Sequence, residues 1–199
     1  MLTEQAALER VLAGVTPLPP IAQPLTSSLL GCFAGRAVHA SVPLPGFDNS
    51  SMDGYAVHAA DTRSDTPLTV VGEQPAGPSL NLTLPFGAAI RIFTGAPVPA
   101  GADAVIMQED VDLKTSPSGP RIVCREPVEL DENIRGAGSD LCMGQKLLEA
   151  GTALTPMVLG VLASQGLREI WVHPPAKVAV VTTGDELVPP APTPTRAAL

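Results

Sequence analysis

Proline and glycine interrupt this chain so often that only short elements can form between them. The 199 residues contain 22 prolines and 18 glycines, so proline is about twice as frequent as its usual ~5%. Between Tyr55 and about Leu130 they separate four short β-type runs, at residues 68–71, 89–93, 104–107 and 121–124. Runs of this length and spacing are typical of a sandwich or barrel of short strands. The middle of the chain is therefore predicted to be a β domain.

Helical patterns lie on both sides of this β region. Near the start, one face of an amphipathic helix is indicated at i, i+3, i+4 and i+7 by Leu8, Val11, Leu12 and Val15. A second short helix is expected at 27–34. Later, Thr155 and Pro156 offer an N-cap and a first-turn proline for a helix ending near Gly166, and 168–172 follows as a strand. We expect these flanking segments to pack together, which makes the β domain an insertion.

Composition excludes several classes of partner and site. The net charge of −8 opposes a general nucleic-acid or acidic-membrane surface. No apolar run approaches the ~18 residues that span a bilayer, and the first residues lack a secretory signal, so the chain is expected to be cytoplasmic. The cysteines and histidines show no metal-ligand spacing, and the cysteines form no disulfide framework; they are Cys32, Cys124, Cys142, His39, His58 and His173.

The segment 45–57, P-G-F-D-N-S-S-M-D-G-Y-A-V, has the highest density of functional groups. Its central nine residues hold two carboxylates, an amide, two hydroxyls and two glycines before the strand-like Tyr55-Ala56-Val57. Such a segment places polar groups at the rim of a sheet, with Asp53 in a tight turn made by Gly54. The alternative is an ordinary surface turn. A calcium loop is excluded because Met52 and Asp53 occupy positions where a ligand and a glycine are required.

Further stretches carry polar groups at strand ends. Thr94-Gly95 follows an apolar strand, where a hydroxyl can bind an oxyanion and glycine lets the backbone approach closely; the alternative is a plain strand end. Asp140 follows Arg135 and two glycines, which suits either a charged ligand or a salt-bridged turn. The acidic run 108–112 could hold magnesium, but a solvated strand end is the favoured interpretation.

The end of the chain has the pattern of a buried parallel strand. Residues 177–182 form a nearly continuous apolar run, and Asp185 and Glu186 follow at its carboxyl end, where open α/β sheets bind ligands. The alternative for these acids is stabilisation of a helix N-terminus. The four prolines within 189–194 cannot form the helical crossover that a parallel partner needs. The strand is therefore predicted to open a domain that this chain does not contain.

Taken in order, these motifs closely resemble those of the molybdopterin molybdenumtransferase family, to which the gephyrin E domain is related. The matching stretches are 45–57, 91–99, 102–109, 133–140 and 182–187. The 133–140 stretch departs from the family, which more often has an extra arginine and an acid where Gly136 and Ser139 stand. The resemblance covers nearly the whole chain.

The resemblance implies a multi-domain α+β fold. Residues 1–45 and 140–175 would form an elongated mixed α/β domain I that dimerises, and 46–139 an inserted β-barrel-like domain II. Residues 176–199 would begin a truncated, molybdopterin-binding α/β domain III. Most of domain III and all of a fourth domain would lie outside this chain.

The resemblance also implies an activity and its residues. The family inserts molybdate into adenylylated molybdopterin with a divalent ion, Mg²⁺, and releases AMP. The matching catalytic positions are Asp53, Thr94, Asp140 and Glu186, and the matching substrate-binding positions are Ser50, Ser51, Gly95 and Asp185. Asp53 would orient substrate or a metal-bound water. Hydroxyls in turns more often cap backbone groups, which is the alternative for both serines. The metal ligands are not identified.

The family's site lies between the second domain of one protomer and the third domain of its partner, so the resemblance implies a homodimer. A molybdopterin adenylyltransferase is a further implied partner. Two alternatives remain: a non-catalytic dimerising or scaffold fragment related to the family, and an unrelated sugar- or nucleotide-binding β protein.

Overall fold

A computed structural model describes residues 2–63, 65–117 and 119–184 of the chain. Its elements are short, as the proline and glycine content predicts. The helices are α1 (Glu4–Ala13) and α2 (Pro156–Ser164). The strands are β1 (Ile21–Pro24), β2 (Phe33–Ala34), β3 (Val38–His39), β4 (Asn49–Ser50), β5 (Gly54–Val57), β6 (Leu68–Gln74), β7 (Ala88–Ile92), β8 (Ala104–Met107), β9 (Val111–Ser116), β10 (Gly119–Cys124), β11 (Ile134–Arg135), β12 (Lys146–Leu148) and β13 (Glu169–His173).

The chain divides into two compact units. The first is built from the described residues of Met1–Arg36 and Glu149–Leu199, and the second is Ala37–Leu148. The first unit is thus assembled from two segments that flank the second in sequence. How these units correspond to the domains expected from the resemblance stays a prediction.

The first unit contains α1 and α2, which confirm two of the three predicted helices, and a small antiparallel sheet. Thr3 caps α1 by accepting the amide of Ala6 at 3.2 Å, and Thr155 caps α2 by accepting the amide of Val158 at 3.3 Å, which satisfies amides that a helix start leaves unpaired. The sheet has the order β1-β13-β2. No residue of α1 is buried, so its apolar face lies open to solvent in the single chain.

The predicted helix at 27–34 is wrong. Ser27–Leu29 forms only a single 3₁₀ turn. Gly31 then adopts a left-handed conformation with φ of 80°, and Phe33 and Ala34 pair with β13. A left-handed residue ends helical geometry, and the pairing with β13 satisfies the backbone in an extended conformation instead.

A six-stranded sheet with the order β8-β5-β7-β6-β10-β9 dominates the second unit. Its neighbours are antiparallel except for the parallel pair of β6 and β7. Alternate residues feed two apolar clusters: Tyr55 and Val57 of β5 join one cluster and Ala56 joins the other. The first cluster collects side chains from all six strands, so the sheet curls around it as a half-barrel. The predicted mixed α and β character is confirmed.

Two short antiparallel ladders pair strands that precede this sheet in sequence with strands that follow it. Strand β4 pairs with β11 through Ser50↔Ile134 and Asn49↔Arg135, and β3 pairs with β12. The β4–β11 ladder brings the segments around residues 50 and 134 into contact, although they are far apart in sequence.

The strand predicted at 177–182 does not form. Residues 174–184 have no regular secondary structure, and Val178, Val180 and Val181 are 82%, 85% and 82% exposed. A strand requires a hydrogen-bonded neighbour, and none of the strands in the described residues pairs with this segment. Among the described residues, no helix is long and apolar enough to cross a membrane.

Candidate functional site

Three of the sequence motifs meet around residues 45–54, which we call the signature loop. On one side, the amide of Ser50 donates to the carbonyl of Ala96 at 3.0 Å, and the amide of Gly95 donates to the carbonyl of Ser50 at 2.8 Å. On the other side, the amide of Ser51 donates to the carbonyl of Asn133 at 3.0 Å. The signature loop therefore lies between the Thr94 and Arg135 stretches.

Gly54 directs Asp53 to the rim of the sheet, but not through the tight turn that the sequence suggested. It is the buried first residue of β5, between β7 and β8. A Cβ at Gly54 would lie 1.9 Å from the carbonyl oxygen of Ile106, so only glycine allows β8 to approach this closely. The amide of Gln108 donates to the carbonyl of Asp53 at 3.0 Å, which fixes the backbone where the strand begins.

The Asp53 carboxylate is bound by Thr94 through two hydrogen bonds. Both the amide and the hydroxyl of Thr94 donate to Oδ1 at 2.8 Å. The Thr94 amide and then its hydroxyl lower the pKa of Asp53; desolvation opposes them, and the charge of Arg91 is the weakest of the four effects and lowers the pKa further. No further donor among the described residues reaches Oδ2. At neutral pH Asp53 is therefore an ionised acceptor with one exposed oxygen, which suits orienting a water or accepting a proton.

Arg91 and Gln108 belong to this site, although sequence reasoning assigned them no role. Nη1 of Arg91 donates to the carbonyl of Gly54 at 3.0 Å, and Nη2 donates to Oε1 of Gln108 at 2.5 Å. The available signal was a lone cation in the otherwise apolar strand Ala-Ala-Ile-Arg-Ile. A charge within such a strand calls for a nearby acceptor.

The predicted substrate-binding groups Ser50, Ser51 and Gly95 are occupied by backbone contacts. The Ser50 hydroxyl is fully buried and donates to the carbonyl of Met52 at 2.6 Å. The Ser51 hydroxyl donates to the carbonyl of Asn133 at 3.1 Å. Gly95 has a φ of 80°, which explains the glycine by its backbone conformation. Both serine hydroxyls thus make the backbone contacts of the alternative interpretation, and substrate binding by them stays a prediction.

Asp140 forms an ion pair with Arg135, and both side chains are half exposed. Backbone hydrogen bonds connect the segment around Asp140 to the start of the signature loop. The amide of Gly138 donates to the carbonyl of Pro45 at 2.8 Å, and the amide of Asp140 donates to that of Leu44 at 2.9 Å. The salt-bridged turn that the sequence left open is therefore present. Asp48, which sequence reasoning also missed, accepts the amide of Ala137 at 2.7 Å.

The described residues show no cluster of candidate metal-ligand side chains. They contain no group of three or more histidine, cysteine, aspartate or glutamate side chains placed to hold an ion. In the acidic run 108–112, Asp112 is paired with Arg125 at 2.8 Å, which agrees with the solvated strand end favoured by the sequence. Asp185 and Glu186 lie outside the described residues.

Comparisons with known proteins agree with the motifs. Residues 2–166 match the model of the MoeA N-terminal region, domains I and II. The molybdopterin molybdenumtransferase of Haemophilus influenzae is 44% identical over 147 residues, 74% of this chain and 36% of that protein. Molybdopterin molybdenumtransferase 2 of Mycobacterium tuberculosis is 42% identical over 176 residues, 86% of this chain and 42% of that protein.

A solved structure shares the fold as well. The molybdopterin biosynthesis MoeA protein from Pyrococcus horikoshii superposes with a TM-score of 0.82 and 31% identity, covering 100% of this chain and 51% of that one. The chain thus spans about half or less of the length of each of these proteins.

Proposed function

We propose a function from the premise that this chain belongs to the MoeA family, whose N-terminal region it matches over residues 2–166. The proposed process is molybdenum cofactor biosynthesis, and the proposed reaction is insertion of molybdate into adenylylated molybdopterin with release of AMP. Since the chain spans about half or less of its relatives, it would supply one part of the site and not all of it.

The observation that carries the proposal is the contact between Asp53 and Thr94. These residues come from the two most specific motifs and are 41 positions apart, and the structure joins them by two hydrogen bonds of 2.8 Å. Two donors on the same oxygen hold the carboxylate in one orientation. Thr94 thus orients Asp53, whose side chain is exposed and whose Oδ2 has no donor among the described residues, so that a reacting group could bind there.

Only some of the groups that the proposed reaction needs lie among the described residues. Hydrolysis of the adenylate forms a bond from a water oxygen to the phosphorus of AMP, breaks the bond from that phosphorus to the molybdopterin oxygen, and releases AMP and one proton. The ionised Asp53 would accept that proton or hold the attacking oxygen in line. The ion pair of Arg135 and Asp140 borders the same loop and would bind charged substrate. Mg²⁺ stays a prediction from the resemblance.

The proposal also covers the other side of the cleft, the assembly, the partner protein and the location. Asp185 and Glu186 would line the other side of the cleft from the start of domain III, and two copies would form a homodimer in which one protomer's second domain meets its partner's third. The β-barrel-like description of domain II, a molybdopterin adenylyltransferase partner and a cytoplasmic location are proposed on the same basis.

AMP release tests this division of the site. The 199-residue chain, given adenylylated molybdopterin, molybdate and magnesium, should release no AMP above background. A chimera in which residues 1–173 replace the matching part of the Haemophilus influenzae relative should release AMP.

Two results of that assay would contradict the proposal. Turnover by the 199-residue chain alone would contradict the incomplete site. A folded, dimeric chimera without turnover would favour the alternative, a non-catalytic scaffold fragment.

A further inference from the structure

We propose that Arg91 is a positioning residue that fixes the Asp53 carboxylate, by holding the backbone that follows Asp53 and the side chain of Gln108 at the same time. The inference depends on the proposed function only for the claim that Asp53 takes part in chemistry. The positioning itself depends on the geometry of the described residues.

The guanidinium closes a ring of hydrogen bonds around the start of β5. Nη1 binds the carbonyl of Gly54 at 3.0 Å and Nη2 binds Oε1 of Gln108 at 2.5 Å. The amide of Gln108 in turn binds the carbonyl of Asp53 at 3.0 Å. Two consecutive carbonyls, those of Asp53 and Gly54, are therefore held by one connected group. A planar fork of donors can reach both acceptors at once, which a single ammonium cannot do as well.

Aromatic rings keep the guanidinium in place. Arg91 stands directly opposite Tyr55 in the ladder of β5 and β7. Its central carbon lies 5.1 Å from the centre of the Tyr55 ring and 4.9 Å from that of Phe93. Cation–π contact with two rings restricts the long side chain, and Tyr55 is itself buried in the core. Arg91 is thus anchored to the sheet and not a solvated surface charge.

The charge of Arg91 lowers the pKa of Asp53 less than the two hydrogen bonds from Thr94 do. The pKa of Asp53 is lowered first by the Thr94 amide, then by the Thr94 hydroxyl, and only last by Arg91. Two carboxylates also lie near Arg91 and Gln108: Glu73 faces Arg91 across the parallel pair of β6 and β7, and Glu109 accepts Nε2 of Gln108 at 3.1 Å. The geometry therefore points to placement of Asp53, and not to neutralisation of its charge, as the role of Arg91.

The amide resonance of Thr94 reports this placement, because that amide donates to Oδ1 of Asp53. We would record amide NMR spectra of the 199-residue chain and of Arg91→Met, Arg91→Lys and Gln108→Ala, with Asp53→Ala as the reference for a lost contact. Arg125→Met is the matched control, since Arg125 also binds a backbone carbonyl and a side chain, those of Glu109 and Asp112, yet does not contact Asp53 or Gly54.

Arg91→Met and Arg91→Lys should both move the Thr94 resonance towards its Asp53→Ala position, and Gln108→Ala should move it less in the same direction. Arg125→Met should leave it unchanged. If Arg91→Met does not fold, Arg91→Lys and Gln108→Ala decide the matter. A Thr94 resonance that does not move in Arg91→Lys and Gln108→Ala would overturn the proposal. So would a Thr94 resonance that moves in the other variants but stays at its wild-type position in Arg91→Lys, because a positive charge alone would then be sufficient.

A rate measurement separates this inference from the proposed function. In the chimera, Arg91→Lys should lower kcat by about 10²-fold, as expected for a misplaced catalytic group, with KM for adenylylated molybdopterin changed far less. A displaced Thr94 resonance with normal kcat would leave the positioning intact and contradict the role of Asp53 in the reaction.

Discussion

At the scale of single residues, the site depends on one exposed carboxylate whose orientation is fixed by its neighbours. Asp53 is accessible to solvent, yet the amide and hydroxyl of Thr94 both bind Oδ1. Donors to a carboxylate stabilise its ionised form. Asp53 is thus expected to act as an acceptor at neutral pH and not as a proton donor.

The Asp53–Thr94 contact should make stability depend on acidity. Because the folded pKa of Asp53 is lowered, the contact stabilises the fold fully above the ordinary aspartate pKa of about 4, and this contribution is lost as the pH falls through the lower folded value. The difference in Tm between the wild type and Asp53→Asn should therefore be largest near neutral pH and narrow in acid. Thr94→Val should weaken this dependence without abolishing it, since its amide still donates. Parallel Tm curves for wild type and Asp53→Asn would contradict the account.

The sequence predicted roles for both residues of this contact but did not predict that they are in contact. The motifs singled out Asp53 and Thr94, but nothing in local pattern joins residues that are 41 positions apart. The pairing comes from the ladder of β5 and β7, in which Gly54 faces Ile92. Arg91 was missed because its acceptors, the carbonyl of Gly54 and the side chain of Gln108, lie far from it in sequence. The serines were assigned to substrate because the sequence does not reveal which nearby carbonyl takes a hydroxyl proton.

At the scale of elements, Gly54 decides how closely β5 and β8 can pack. The backbone of Ile106 and Met107 passes directly over the position of a Cβ at Gly54. Since Asp53 immediately precedes this point, any shift of β5 away from β8 would also move the carboxylate. Packing in the sheet and geometry at the site are therefore linked.

Gly54→Ala should destabilise the second unit by about 1–3 kcal/mol or more, the usual cost of forcing extra volume into a packed region. Gly46→Ala is the matched control in the same loop, because a Cβ there would meet nothing within 4 Å. Chemical denaturation of both variants measures the difference. Equal stability of the two variants would show that β8 can move aside at little cost.

Element predictions succeeded where local signals and tertiary packing agree. The amphipathic helix near the start, the Thr155 cap of α2 and the four β-type runs are confirmed. The helix at 27–34 failed because Gly31 and the pairing of β2 with β13 override a weak apolar pattern. The strand at 177–182 failed because its apolar pattern indicates burial, yet none of the strands in the described residues pairs with it.

At the scale of the whole molecule, the first unit exposes apolar side chains that a lone chain does not cover. Leu8, Val11 and Leu12 of α1 are 51%, 63% and 59% exposed, and Met157 of α2 is 83% exposed. The valines at 178–181 are exposed as well. We therefore expect the apolar face of α1 to contact another chain.

We expect a dimer in solution through the helical faces, with higher aggregates that depend on the C-terminal segment. An unpaired apolar segment of strand character favours pairing with another chain. Deleting residues 176–199 should remove the aggregates and spare the dimer. Light scattering distinguishes the species. A monodisperse monomer, or a dimer lost on that deletion, would place the interface elsewhere.

The central claim is that Asp53, held by Thr94, takes part in the insertion reaction, and AMP release by the chimera tests it most directly. Asp53→Asn should lower the rate by about 10²–10⁴-fold, the usual contribution of a positioned acid–base group, with Tm near neutral pH still showing a folded protein. Asp110→Asn, an acid that contacts neither Asp53 nor Thr94, should keep a near-normal rate. A folded Asp53→Asn variant that releases AMP as fast as Asp110→Asn would contradict the account.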